Sequence, residues 1–133
     1  MPFFGAVMIN EFYSKNNIRL VMQSKTQARL FYTSHGIEKA GKILFIDLCD
    51  DGEELCENGN FGDIEGFKGV FELLCPADCT ALRVNEEILS NPSALTENDW
   101  LVEVEISSPL PHLMTAQEYG EFIKNDTFIR EKR

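Results

Sequence analysis

Residues 100–106 read Trp100-Leu101-Val102-Glu103-Val104-Glu105-Ile106, and residues 114–123 read Met114-Thr115-Ala116-Gln117-Glu118-Tyr119-Gly120-Glu121-Phe122-Ile123. The first stretch alternates. Val102, Val104 and Ile106 share one face, and Glu103 and Glu105 the other, which is the period of a half-buried strand. The second is a helix start. Thr115 suits an N-cap, Glu118 completes a capping box, and Met114 is placed to staple onto Tyr119. Tyr119, Phe122, Ile123 and, further on, Ile129 make an apolar stripe at helical spacing, with Asn125-Asp126 as a potential interruption. Lys124, Arg130, Lys132 and Arg133 lie toward the end where cations suit the helix dipole. A helix with one apolar stripe needs a sheet to cover. The fold class expected is therefore α+β, a mainly antiparallel sheet of about six to seven strands packed by a C-terminal helix.

Working outward, the other strands follow from composition and turn chemistry. Residues 5–13 are apolar and aromatic, and Ser14-Lys15-Asn16-Asn17 is a turn. Residues 18–24 alternate, with Ile18, Leu20 and Met22 on one face. Residues 27–33 pair back across Ser24-Lys25-Thr26, and His35-Gly36 opens the next turn. Residues 42–49, KILFIDLC, form a nearly continuous apolar run and are the expected central strand. Residues 50–68 contain four glycines and two asparagines and read as a long acidic loop. Strands are expected again at 69–75 and 79–84. Residues 85–99 read as irregular, with one helical turn around 93–98. No linker or repeat divides the chain, so residues 1–133 read as a single domain.

The net charge of −10 is unevenly spread. Residues 1–42 hold six bases against two acids, whereas residues 43–123 hold 18 acids against Lys68 and Arg83 alone. Eight acids and no base lie between Lys42 and Lys68. Such a surface steers basic partners inward and repels nucleic acid, although a solvated, solubilising face has the same composition. The N-terminus lacks a basic leader and no apolar run reaches membrane length, so a cytoplasmic location without membrane contact is expected.

Chemistry-bearing motifs are scarce. Cys49, Cys56, Cys75 and Cys79 miss the paired spacing of structural zinc sites and read as free thiols. The acidic loop lacks the ordered ligands of a calcium loop. His35 and His112 lie in turn-like contexts, and no G-x-S-x-G elbow, P-loop or G-x-G-x-x-G occurs. No catalytic residue, metal or cofactor is therefore expected, nor an enzyme. Aromatic residues crowd the N-terminal strands (Phe3, Phe4, Phe12, Tyr13, Phe31 and Tyr32), which marks either core or a partner surface.

These features lead to an acidic inhibitor or immunity-type protein that blocks a basic protein target such as a toxin, nuclease or defence enzyme. The partner-binding residues would be Asp50, Asp51, Glu53, Glu54, Glu57, Asp63 and Glu65 for steering, with Phe61, Phe67 and Trp100 as anchors. Two alternatives stand beside it. One is a DNA mimic that occupies a nucleic-acid groove. The other is a small-molecule binder or enzyme with a pocket between helix and sheet, marked by Cys75 or Cys79 near a histidine.

Overall fold

The computed structural model describes the backbone of residues 3–4, 7–8 and 10–131, and the side chains of residues 10–126. The expectations for the side chains of Phe3, Phe4, Ile129, Arg130, Lys132 and Arg133 lie outside the described residues. Among the described residues the architecture is mainly antiparallel β, with nine strands in two sheets and a C-terminal helix. A separate small pair, β1 (Phe3–Phe4) and β2 (Val7–Met8), stands before them.

The larger sheet runs β3-β4-β5-β11-β10-β7, with β3 at Glu11–Tyr13, β4 at Ile18–Met22, β5 at Gln27–Tyr32, β7 at Glu54–Leu55, β10 at Cys79–Val84 and β11 at Trp100–Ile106. Its turns obey the sequence. Asn17 takes a positive φ of 68°, and the Ser14 hydroxyl accepts from the backbone N–H groups of Asn16 and Ile18. Between β4 and β5 the Ser24 hydroxyl accepts from the Thr26 and Gln27 N–H groups. The alternation in β4 buries Ile18, Leu20 and Met22 as expected, and β11 buries Val102 and Val104 while turning Glu103 and Glu105 outward. Leu101 is buried as well, because a bulge between Trp100 and Val102 disrupts the simple alternation.

The smaller sheet runs β6-β8-β9, with β6 at Ile43–Leu48, β8 at Asn60–Gly66 and β9 at Gly69–Leu74. Two expectations are corrected here. KILFIDLC is an edge strand rather than a central one, since Leu44 and Phe45 of its apolar run face solvent. Residues 50–68 are not one long loop. They contain β7 and β8, and β8 is the middle strand of the smaller sheet. Phe61 and Ile64 of β8 face the core, and Asp63 and Glu65 face out. Both sheets feed one buried cluster, with Leu20, Leu30 and Val104 from the larger and Ile46, Phe61, Ile64 and Leu73 from the smaller. Burying each such side chain stabilises the fold by roughly 1.5–3 kcal/mol.

His35-Gly36 lies inside a helix, not a turn. Helix α1 (Ser34–Ala40) is capped by the Thr33 hydroxyl, which accepts from Gly36 N–H at 3.1 Å, and stops at Gly41, whose φ is 76°. Residues 85–99 contain α2 (Glu86–Ser90), capped by Asn85, and a 3₁₀ turn at Pro92–Ala94. Helix α3 (Ala116–Glu131) starts with the expected capping box. Glu118 N–H donates to the Thr115 hydroxyl at 3.2 Å and Thr115 N–H donates to the Glu118 carboxylate at 2.9 Å. It continues through Asn125-Asp126. It lies against edge strand β3, where Tyr119 stacks on Tyr13 at 4.7 Å, and its Asp126 reaches His35 and Lys39 of α1. Among the described residues no helix is long and apolar enough to cross a membrane.

Candidate functional site

The hairpin joining β8 to β9 presents one lysine from a fixed backbone. Gly66 pairs with Gly69, leaving Phe67-Lys68 as a two-residue connection. The tip is anchored from below, because Phe67 N–H donates to the Lys42 carbonyl and Lys68 N–H to the Ala40 carbonyl, each at 3.0 Å. This approach demands glycine at 66, since a Cβ there would drive into the Ala40 carbonyl oxygen. Gly41 provides the seat for the lysine stem, as a Cβ built on it would meet Lys68 Cγ at 3.2 Å. The exposed ammonium donates to the Glu38 carbonyl at 3.3 Å, at the C-terminal end of α1 where a cation is favoured. That single long bond holds the head loosely, while the backbone beneath it is tied down twice.

The outer face of the smaller sheet is ordered in rows by its register. Nearest the tip, Phe45 lies across from Glu65, and Glu65 across from Val70. One pleat further on, Asp47, Asp63 and Glu72 stand side by side. Among the described residues no salt bridge reaches these four carboxylates, and the Asn60 amide donates to Asp63 and Glu72. Phe45 is 63 % exposed, Phe67 73 % and Val70 66 %.

The residues expected to bind a partner are not brought together. Asp50, Asp51, Glu53, Glu54 and Glu57 lie on and around short β7, at the far edge of the larger sheet. Asp51 is used locally, its carboxylate accepting from Val84 N–H. Asp63, Glu65 and Phe67 belong to the lysine hairpin. Phe61 is 1 % exposed, so it is a core side chain and not an anchor for any partner. Trp100 is half-buried on the outer face of the larger sheet, where its ring already receives the guanidinium groups of Arg29 and Arg83 at 5.0 and 5.1 Å. Glu103, between those arginines, is paired to both at 2.8 and 2.7 Å. The acidic block is therefore no single face.

The other reactive groups are accounted for locally. Cys75 and Cys79 are buried with Sγ atoms 3.4 Å apart, and the Cys75 thiol donates to the Ala77 carbonyl rather than meeting a histidine. Burial, reinforced by Glu53, pushes the Cys49 thiol up to about 11. The buried His35 ring meets Asp126 at 2.6 Å; this hydrogen bond, with help from Lys39, holds the Asp126 carboxyl below the usual carboxylate range. Among the described residues no three His, Cys, Asp or Glu side chains could hold a metal ion.

Lys68 is the residue that the sequence reading passed over. Its signal was there, as a lysine bracketed by Gly66 and Gly69 between two strand patterns. Assigning residues 50–68 to a loop hid the strand that aims it.

Comparison with known proteins covers most of the chain, this hairpin included. The family model described as "Glycine cleavage H-protein" matches residues 12–126. A glycine cleavage system H protein of Staphylococcus epidermidis is 32 % identical over 117 residues, 84 % of this chain and 92 % of its own. One of Lachnoclostridium phytofermentans is 24 % identical over 123 residues, 90 % of this chain and 97 % of its own. Among solved structures, a glycine cleavage system H protein from Mycobacterium marinum has the same fold, with a TM-score of 0.77 and 23 % identity over 86 % of this chain and 97 % of that one. These matches overturn the expectation of an inhibitor or immunity-type protein that blocks a basic toxin, nuclease or defence enzyme. The DNA-mimic and pocket-enzyme alternatives fall with it. Charge composition pointed there because it was the strongest pattern in the sequence, yet charge speaks to solubility and steering and not to fold or chemistry.

Proposed function

The chain belongs to the glycine cleavage H-protein family, and on that premise we propose that it is a carrier, loaded with a lipoyl group through an amide at Lys68, which serves the other enzymes of the glycine cleavage system. The observation that supports this reading is the Lys68 hairpin itself. An exposed primary amine, loosely held at its head, stands on a two-residue turn whose backbone is bonded to Ala40 and Lys42. A covalently attached arm needs that combination, an accessible nucleophile on a base that does not move.

Lys68 would hold the group, and the bound lipoyl supplies a reversible disulfide at the end of a flexible arm. The chain's own part is mechanical. The β8–β9 hairpin projects the attachment point past the sheet edge, Gly41 and Gly66 let helix α1 support it closely, and the core beneath Ile64 and Leu73 keeps the hairpin rigid. Two other lysines differ in setting, since Lys39 is paired with Asp126 and Lys124 with Glu121. The expectation that the chain carries no cofactor gives way, in this reading, to a covalently held one. In this reading the chain is a carrier and not itself an enzyme, and it works in the cytoplasm beside the enzymes it serves.

The test is enzymatic loading with lipoate followed by intact-mass measurement. The native chain should gain one lipoyl group. Lys68→Arg, which keeps the charge but removes the acylable amine, should gain none while unfolding at the same denaturant concentration. A lipoyl group on the Lys68→Arg variant would place the attachment elsewhere and end this assignment.

A further inference from the structure

Where β9 leaves the smaller sheet and β10 enters the larger one, the chain reads Cys75-Pro76-Ala77-Asp78-Cys79. This short crossover is tied down on both sides. Cys75 N–H donates to the Gly59 carbonyl, Asn58 N–H to the Cys75 carbonyl, and Glu57 N–H to the Asp78 carboxylate. Cys79 opens β10 between Leu55 of β7 and Ile106 of β11. Both thiols turn inward. Cys75 is 1 % exposed and Cys79 3 %, and their sulfurs lie 3.4 Å apart. A disulfide holds its sulfurs at about 2.05 Å, so the pair has little more than an ångström to close.

A thiol buried in apolar surroundings is ordinarily inert. A second sulfur changes that here. The hydrogen bond from Cys79 favours a thiolate at Cys75 against the burial that opposes it, and the same shared bond pushes the Cys79 thiol up. A nucleophile and a resolving partner therefore stand side by side. Cys49 and Cys56 lack this arrangement, since burial pushes the Cys49 thiol up and Cys56 is exposed.

We propose that Cys75 and Cys79 are an oxidation site, at which a hydroperoxide converts the dithiol into an intrachain disulfide that fastens the crossover between the two sheets. Burial selects the oxidant class. Sulfurs so enclosed leave no room for a mixed disulfide with a bulky thiol compound, whereas hydrogen peroxide is little larger than water. A cavity of about 200 Å³, whose lining includes Glu57, Asn58, Pro76 and His112, brings solvent against the crossover. The Cys75 sulfur attacks one peroxide oxygen. The S–O bond forms, the O–O bond breaks, and the departing hydroxide leaves as water with the Cys75 proton. The Cys79 sulfur then attacks the sulfenic sulfur. The S–S bond forms, the S–O bond breaks, and a second water leaves with the Cys79 proton. Two electrons pass from the thiols to each peroxide, and a dithiol reductant reverses the change. The site does not rest on the reading of Lys68. Lys68 precedes β9 and Cys75 follows it, so the strand separates them by roughly 20 Å.

The experiment uses the full chain with Lys68 unacylated. Folded chain is treated with hydrogen peroxide, quenched with catalase, denatured in the presence of N-ethylmaleimide and cleaved after lysine and arginine. Cleavage separates residues 43–68, with Cys49 and Cys56, from residues 69–83, with Cys75 and Cys79. The expected result is a peptide 69–83 that is lighter by two hydrogens and takes up no maleimide, and that regains both thiols when dithiothreitol precedes alkylation. In Cys79→Ser the resolving thiol is gone, so oxidation should stop at a Cys75 sulfenic acid that dimedone captures, while the native chain should give almost none of this adduct. The oxidised native chain should unfold at a higher urea concentration than the reduced one, because a cross-link restricts the unfolded chain. The measurements on the native chain decide the matter even where Cys79→Ser does not fold. Two maleimides on peptide 69–83 from chain that circular dichroism shows to be folded would overturn the proposal. So would a disulfide from either residue to Cys49 or Cys56, or a urea midpoint no higher than that of the reduced chain.

Discussion

The outer faces of the two sheets are built on opposite rules. On the larger sheet, charges are knitted. Arg19 pairs with Glu11, Arg29 and Arg83 share Glu103, and the guanidinium groups lie over Phe31 and Trp100. On the smaller sheet, carboxylates stand opposite carboxylates, and phenylalanine and valine are left to solvent. Opposite charges across strands stabilise, and like charges directly opposite do the reverse. Leu82 of β10 is exposed, but these charged and aromatic side chains of the larger sheet are partnered by one another. Those of the smaller sheet are not, and it is the sheet that holds Lys68. A surface left in this state is available to something else, and the contrast separates scaffold from delivery end.

The sharpest way to break that division is to compare phenylalanines six residues apart on one hairpin. Phe61→Ala removes a fully buried ring and should cost about 3–5 kcal/mol in urea unfolding. Phe67→Ala should change stability by no more than about 0.5 kcal/mol. Similar stability losses for both would mean that the tip is structural. Next in size is Gly66→Ala. The added methyl meets the Ala40 carbonyl, so the hairpin and α1 must part, at about 1–3 kcal/mol. Loading should suffer with it, because the lysine loses its seat.

Acid tests the knitted side. Hydrogen bonds from Arg83, and then Arg29, hold the Glu103 carboxyl below the usual carboxylate range, and His35 does the same for Asp126. A carboxyl whose folded pKa is depressed stabilises the fold fully above its unfolded value, about 4. That stabilisation is lost as pH falls through the lower folded values. The urea midpoint should therefore drop on acidification below about pH 4. In Glu103→Gln the drop should be shallower, with a loss at neutral pH under about 1 kcal/mol. An unchanged acid profile would mean that the pairs on the larger sheet contribute nothing measurable.

How much of this was legible varies along the chain for physical reasons. β4 and β11 alternate and α3 begins with a complete capping box, so local chemistry alone specified them. β8 was invisible because Gly62 and Gly66, which read as loop residues, are required by close backbone approach of β6 and α1, a tertiary fact. α1 was missed because His35-Gly36 looked like a turn, while the deciding residue was Thr33, whose hydroxyl caps Gly36. The apolar run at 42–49 suggested a buried strand, and its excess apolarity proved to be surface at Leu44 and Phe45. The site followed the same pattern. The acids of 50–57 were conspicuous but local, whereas Lys68 became meaningful only once β8 and β9 aimed it.

The smallest effect tests the unfinished face most directly. Asp63 stands between Asp47 and Glu72, with an amide from Asn60 as its hydrogen-bond partner. Asp63→Asn removes the central charge of three without changing the shape of the side chain. If the row is a strained arrangement kept for its surface, the substitution should stabilise the fold by about 0.2–1 kcal/mol. The gain should shrink as salt is raised, since screening already relieves the repulsion in the native chain. On the knitted side, the matching removal at Glu103 should destabilise. Opposite signs for one kind of change on two faces would establish the contrast. A loss of stability in Asp63→Asn would show that the row is held together by bonds such as the one from Asn60, and the distinction between the sheets would then rest on the exposed apolar residues alone.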